Sequence, residues 1–462
     1  MNRRHCLHTM VTAGVALPAG KNSLATRAEL HKSSSLTPHG RQLGTIFNND
    51  MDNIIYACSG KNITPNEYQR AVHAILDMKP GVLAQNVGAP DPVLYPSAVA
   101  TQYDKYVEEA SKGLAPFEGT ADSTRRMVDA MRRLRELGTD PFTLTIEACR
   151  KRGVLILASY RMNSEDMYGS TMKMSNFERR HPEWKIPGAN CADPAIPEIY
   201  AHRMQIFREV AERYDIDGIE FDFRRWYHMV SHPLKNHYVL TRMVRDTRKM
   251  LDKVARKKGR QKLLLEARVG PSVATDPTPF VYPGIFYSRK PVNASCRDLG
   301  LDVKTWIAEG LVDALCPSLF LDGLPSLPKT REFVALTTGT SIGVYPTLWS
   351  WPLWAHGEKP WAICEERSIS LEKKDEQALA LYKDELCTTA LRMYEDGADG
   401  ISTFNWCSHH RNADLPHRGP DNSGQAGAGI DAVQTYIYPL LRDAAALRRY
   451  RDEQPWAIPP KT

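Results

Sequence analysis

Eight short runs rich in β-forming residues recur along the 462 residues, and most are followed by a stretch with helical periodicity. Such alternation confines the chain to parallel α/β architectures, because a strand returning parallel to its neighbour needs a crossover, usually a helix. The expected strands are Asp52–Cys58, Gly81–Asn86, Gly153–Arg161, Tyr214–Trp226, Leu263–Val269, Leu311–Leu319, Ile342–Leu348 and Ala398–Trp406. Helical patterns are expected from Thr64 to Met78, where Thr64, Pro65 and Glu67 form an N-terminal signature, and over 122–137, 141–151, 194–213, 235–258, 302–309, 372–396 and 430–449. That repeat count predicts an α/β fold, a (β/α)8 TIM barrel. The rival, an open doubly wound sheet, would carry a Gly-x-Gly-x-x-Gly turn after its first strand, and none follows here.

Composition agrees with a packed domain: 42% of residues are hydrophobic and 25% charged. The net charge of +6 is small for this length and spread out, which argues against a nucleic-acid partner. Arg3 and Arg4 precede the modest apolar run Met10–Ala19, which resembles a twin-arginine export signal too short to act as a membrane anchor. Residues 1–40 are therefore read as signal and linker, residues 41–462 as one barrel, and the location as periplasmic or extracellular. Nine cysteines are scattered with no Cys-x-x-Cys pair, so most are expected to be small buried hydrophobes, with one or two disulfides left open. His228, His232, His237 and the pair His409-His410 lack the spacing of a metal site, and no cofactor motif is present.

The fourth run carries the chemistry. In an extended strand Glu220, Asp222 and Arg224 share one face, while Ile219, Phe221 and Phe223 share the other. In a barrel the charged face is the lumen, and burying those groups is costly unless they pair or react. Long insertions follow the second, third, fifth, seventh and eighth runs, all on the face where a barrel places its site.

Five segments extend this picture: His181-Pro182-Glu183-Trp184, Asp193-Pro194, Tyr214 to Arg224, Trp306 to Ser318, and Gly397 to Asn405. On these the chain resembles the bacterial glycosyl-hydrolase-like TIM barrels, the group related to family ten of the glycosyl-hydrolase-like proteins, over roughly residues 50–410. The resemblance implies a carbohydrate partner and hydrolysis of O-glycosyl bonds. Asp217-Gly218-Ile219-Glu220-Phe221-Asp222 is also similar to the fourth-strand acidic motif of chitinase-like barrels, with Arg224 in place of that motif's final Glu. The seventh run ends Pro346-Thr347-Leu348-Trp349, with no Glu where the large clan of retaining barrel glycosidases has its nucleophile.

Glycoside hydrolysis needs one carboxyl that donates a proton and one that attacks or activates water. Asp222, Glu220 and Glu266 are the candidates, with Asp222 or Glu220 as nucleophile or base and Glu266 as acid. Asp322, after the sixth run, is the reserve acid on the resemblance to retaining barrels. The structural alternative pairs Glu220 with Arg268 and Asp222 with Arg161 as buried ion pairs. Arg161, Arg224, Arg225 and Arg268 mark three neighbouring strand ends and suggest an anionic sugar, uronic or sulfated, gripped in a bidentate fork. Trp349, Trp351, Trp354, Trp361 and Trp406 offer ring-stacking faces, Trp349 and Trp406 nearest the lumen, while Tyr160, Asn86, Gln85, Tyr345 and Asn405 offer hydrogen bonds to sugar hydroxyls. Two other functions stay open: a barrel that binds glycans without turnover, and a uronic-acid lyase using Tyr160 or His228 as base.

Overall fold

The computed structural model describes residues 43–50, 54–55, 58, 60–111, 122–163, 175–189, 191–224, 228–274, 295–319, 327–348, 376–406 and 434–453. The proposed signal, Cys6, Arg225, Asp322, Trp349, Trp351, Trp354, Trp361, Cys364, Cys407 and His409-His410 lie outside them. Parallel strands β1 (Thr45–Asn49), β2 (Val82–Gly88), β3 (Leu155–Arg161), β4 (Gly218–Asp222), β5 (Leu264–Val269), β6 (Ala314–Pro317), β7 (Gly343–Val344), β8 (Thr347–Leu348) and β9 (Ile401–Phe404) follow one another around a sheet.

β7 and β8 are two halves of one stave, interrupted at Tyr345-Pro346. β7 pairs with β6 and β8 with β9, and across the break Tyr345 N donates to Leu315 O at 2.8 Å while Ser402 N donates to Pro346 O at 3.0 Å. β9 pairs in turn with β1, so the sheet closes with eight staves, and the fold is the expected (β/α)8 barrel.

The first strand differs from its expected position. It is Thr45–Asn49, upstream of the apolar run 52–58, within which Ile54 and Ile55 are helical. Thr45–Asn49 scores poorly as a strand because its lumen face ends in Asn48 and its outer face carries one large apolar residue, Phe47, against the Tyr438 ring at 5.3 Å. A helix at Tyr103–Ser111 lies within the insertion after β2, and one at Thr330–Thr337 follows β6; neither was expected.

Side chains sort by parity. One face of the staves closes the base of the lumen with Ile46, Ala84, Leu157, Leu264, Ala314 and Tyr345, all buried. The opposite face packs on the helices; there Phe221 meets Phe207 at 4.8 Å, and Trp306 donates its Nε1 to Thr241 Oγ1 at 3.1 Å. Glycine at 218 is required by close approach, since a Cβ there would stand 2.2 Å from Leu264 O.

Three staves begin with an aspartate that reaches back to the strand before. Asp217 Oδ2 accepts from Ile156 N at 2.9 Å, Asp313 Oδ2 from Leu265 N at 2.8 Å, and Asp399 Oδ2 from Val344 N at 2.9 Å. Each satisfies a strand-end N–H that the ladder leaves open.

Above the barrel, Glu178 on the short helix Asn176–Arg179 is buried, with Arg203 Nη2 3.9 Å from its Oε1. Burial pushes its carboxyl up to about 8, against the opposing pull of Arg203 and with a further push from Asp91. An acid whose folded value lies above its unfolded value of about 4.3 stabilises the fold fully at low pH, and that contribution is lost as pH rises through the folded value. Unfolding free energy is therefore expected to fall between about pH 4 and 8, and Glu178→Gln to flatten part of that slope. Urea titrations across the range test this; identical slopes in both proteins would show Glu178 to be ionised throughout.

Candidate active site

Register brings the polar lumen together. Ser159 on β3 lies beside Glu220 on β4, which lies beside Glu266 on β5; one pleat higher Arg161, Asp222 and Arg268 form the same row. The lower row sits on the apolar base and the upper row opens toward the carboxyl ends of the strands, the working end of this fold.

Glu220 and Glu266 are both buried and lie level with each other on adjacent strands. Glu220 Oε1 accepts from the Asn48 amide and from Ser159 Oγ, the latter at 2.5 Å, and Glu266 Oε1 accepts from Cys316 Sγ at 2.9 Å. The second oxygen of each carboxyl receives no donor from the other described groups. Two carboxyls buried side by side disfavour a second negative charge. Burial first, then the charges of Glu266 and Asp222, drive the Glu220 carboxyl well above its ordinary range. Burial also raises Glu266, which Glu220, Cys316 and the Arg268 charge pull back. Burial thus favours the neutral form of both carboxyls on the floor of the polar lumen.

Asp222 is placed differently. Its Oδ2 accepts from Arg268 Nη1 at 3.2 Å and its Oδ1 from the Arg224 backbone N–H at 2.9 Å, contacts suited to a carboxylate. Arg268 also donates to Ser318 Oγ at 3.0 Å and lies over the Phe404 ring at 4.4 Å, while Arg224 Nε donates to Ser318 O. Across the lumen Arg161 pairs with Asp50, which Asn405 holds on both sides: Asn405 Oδ1 accepts from Asp50 N at 2.9 Å and Asn405 Nδ2 donates to Asp50 Oδ2 at 2.7 Å. Asn405 adopts φ 50°, a left-handed conformation that asparagine tolerates.

The structure thus groups Asp222, Glu220, Glu266, Arg161, Arg224, Arg268 and Asn405, and corrects several other expectations. The expected ion pairs are exchanged: Asp222 pairs with Arg268 and Arg161 with Asp50, while Glu220 pairs with a carboxyl instead of Arg268. Tyr160 points away from the lumen, its hydroxyl 2.9 Å from that of Tyr95 and its ring against Phe207. Trp406 is also outside the lumen, with Nε1 donating to Leu348 O at 3.3 Å and its ring edge-on to Tyr438. Tyr345 lies in the lumen but at its base, against Gly343 and Gly400. Asn86 shares the parity of Ala84 and donates to Gly88 O at 3.2 Å, whereas Gln85 is held on the outer face by Asn49. Unforeseen partners are Asn48, Asp50, Ser159, Cys316 and Ser318. The signal for Ser159 was period two, since it shares a face with Arg161, and Tyr160 does not.

No family model and no curated protein matches the chain. Solved structures similar to it at low identity include glycosidases. An α-L-fucosidase isoenzyme 2 from Paenibacillus thiaminolyticus is 12% identical, with a TM-score of 0.41 over 85% of this chain and 49% of that one. The chain thus spans about half the length of that fucosidase. A family GH18 chitinase from Cycas revoluta, in complex with allosamidin, is 13% identical with a TM-score of 0.41, covering 86% of this chain and 98% of its own. A maltogenic α-amylase from Thermotoga neapolitana is 10% identical with a TM-score of 0.38, covering 86% and 78%.

Proposed function

We propose that this chain is a glycoside hydrolase in which the proton held by Glu220 and Glu266 protonates the leaving glycosidic oxygen, and Asp222 serves as base or nucleophile. The observation that carries it is a buried pair of carboxyls, Glu220 and Glu266, level with each other and one pleat below Asp222, which Arg268 holds. A carboxyl raised by burial beside one held by an arginine can supply the acid and base of one reaction. Residues two apart on a strand are about 7 Å apart, which suits a water between acid and base and hence inversion at the anomeric carbon.

Charge balance supports a neutral sugar over an anionic one. Among the described lumen residues, the guanidinium groups of Arg161 and Arg268 are committed to Asp50 and Asp222. Neither is left to hold a uronate or sulfate. The twin arginine near the start of the chain supports action outside the cytoplasm.

The test is a screen against neutral, uronic and sulfated polysaccharides, recording reducing ends, unsaturated products and anomeric configuration. Reducing ends from a neutral glycan, with inversion, and a loss of about 10²–10⁴-fold in Asp222→Asn are expected. Unsaturated products, or turnover indifferent to Asp222→Asn, would remove the assignment. One observation favours a barrel that binds glycan without turnover: both members of the pair are closed from solvent. Binding with no product in either protein would establish that reading. The lyase loses Tyr160 as its base, because that hydroxyl is committed to Tyr95 in the outer layer.

A further inference from the structure

A cavity of about 310 Å³ lies between the start of the helix Pro233–Lys257, the chain leaving β5 and the turn that opens the helix Val303–Ala308. None of its lining residues belongs to the polar lumen. Leu234, Val273, Leu301 and Val303 line it with hydrocarbon, the last three buried. Leu234 is 63% exposed, and Tyr238, one turn further along the same helix face, is 58% exposed. These are two of the four large hydrophobic side chains left exposed among the described residues, and clustered apolar surface of this kind marks a contact site. Apolar walls with a few polar groups, at this volume, are the makeup of a small-ligand site.

The polar lining carries unanswered positive charge. Arg297 and Lys304 both line the cavity, and among the described residues neither forms an ion pair or a side-chain hydrogen bond. The carboxylates nearest them in the chain are occupied. Asp302, also in the lining, caps the helix behind it: Oδ1 accepts from Thr305 N at 3.2 Å and Oδ2 from Thr305 Oγ1 at 2.6 Å, with His237 Nδ1 3.9 Å from Oδ2. Asp298 Oδ2 accepts from Ser295 N at 3.1 Å and from Ser295 Oγ at 2.7 Å. Two cations beside an apolar cavity fit an anion, and a guanidinium takes a carboxylate through two parallel hydrogen bonds. A sugar fits less well. The imidazole of His237 is the only ring among the described lining residues, and the one carboxylate there is committed to its cap.

We propose that this cavity is a second ligand site, for a small organic carboxylate whose apolar body, an aromatic ring or short branched chain, sits among Leu234, Val273, Leu301 and Val303 while Arg297 and Lys304 hold its charge. The site stands independently of the hydrolase reading.

The test is a titration of the full chain with benzoate, followed by ligand-observed NMR and calorimetry. Benzyl alcohol keeps the ring without the charge, and glucuronate keeps the carboxylate on a polar body. Benzoate is expected to saturate the protein, and each of the other two to bind at least about tenfold more weakly. Arg297→Gln and Lys304→Gln are each expected to weaken benzoate by about tenfold, and Leu234→Ser by several-fold. All three side chains are exposed, so the variants are expected to fold, which circular dichroism checks. Glu220→Gln, in the lumen, is expected to leave benzoate affinity unchanged. Benzoate that fails to saturate up to its solubility limit, or that binds the arginine and lysine variants as it binds the wild type, would overturn the proposal. So would a loss of affinity in Glu220→Gln, which would place the ligand in the lumen, and so would glucuronate binding as tightly as benzoate, which would leave the apolar walls without a role.

Discussion

Glu220→Gln is expected to lower turnover by about 10²–10⁴-fold while leaving the protein as stable as the wild type or more so. The two effects separate because glutamine copies the neutral acid. Its amide oxygen still accepts from Asn48 and Ser159, and the side chain stays uncharged beside Glu266, but it carries no proton to give. The sign of the pH effect follows from burial, which raises the native carboxyl well above the unfolded value. Stability from Glu220 is present at low pH and is lost as pH rises through the native value, so the variant gains most on the alkaline side. Kinetics paired with urea unfolding at acid, neutral and alkaline pH test both halves. A variant several kcal/mol less stable than wild type at neutral pH would mean that Glu220 is ionised there, and the assigned proton would be misplaced.

Arg268→Met is expected to cost about 3–5 kcal/mol of stability and to abolish turnover, because it strands a buried carboxylate. Among the described residues Asp222 would keep only the Arg224 amide, and Ser318 and the Phe404 ring would lose their cation. Adding Asp222→Leu should recover much of the stability and none of the activity, since a buried pair exchanged for apolar groups is often neutral while a broken one is not. Denaturant midpoints for the two singles and the double give the coupling. A coupling below about 1 kcal/mol would place the pair in solvent, where ion pairs contribute little.

Much of the barrel was legible in the sequence because seven of its staves are apolar enough to stand out against the helices between them. β1 was not, since half of what it presents to the lumen is polar and its outward face carries a single large apolar residue, Phe47. Within the site, the strand bearing Glu220 and Asp222 could be read from alternation alone, and so could the neighbouring strand bearing Glu266. Partnerships could not, because they depend on register between strands: Asp222 lies level with both Arg161 and Arg268, and the contact goes to Arg268. Parity, applied strictly, would have replaced Tyr160 by Ser159. Cys316 gave no such signal, since a lone cysteine in an apolar run reads as packing.

The aspartates that latch β4 to β3, β6 to β5 and β9 to β7 make the strand pair the repeating unit of this barrel. The first pair has no such latch, and β1 takes its second neighbour from Ile401–Phe404, more than 350 residues further along. During synthesis the later pairs can each consolidate as they emerge, whereas β1 must wait with one bare edge until the last stave arrives. The amino-terminal strand is therefore the last to be locked, and the carboxylates at the centre acquire Asn48, their donor from that strand, only when the ring is complete.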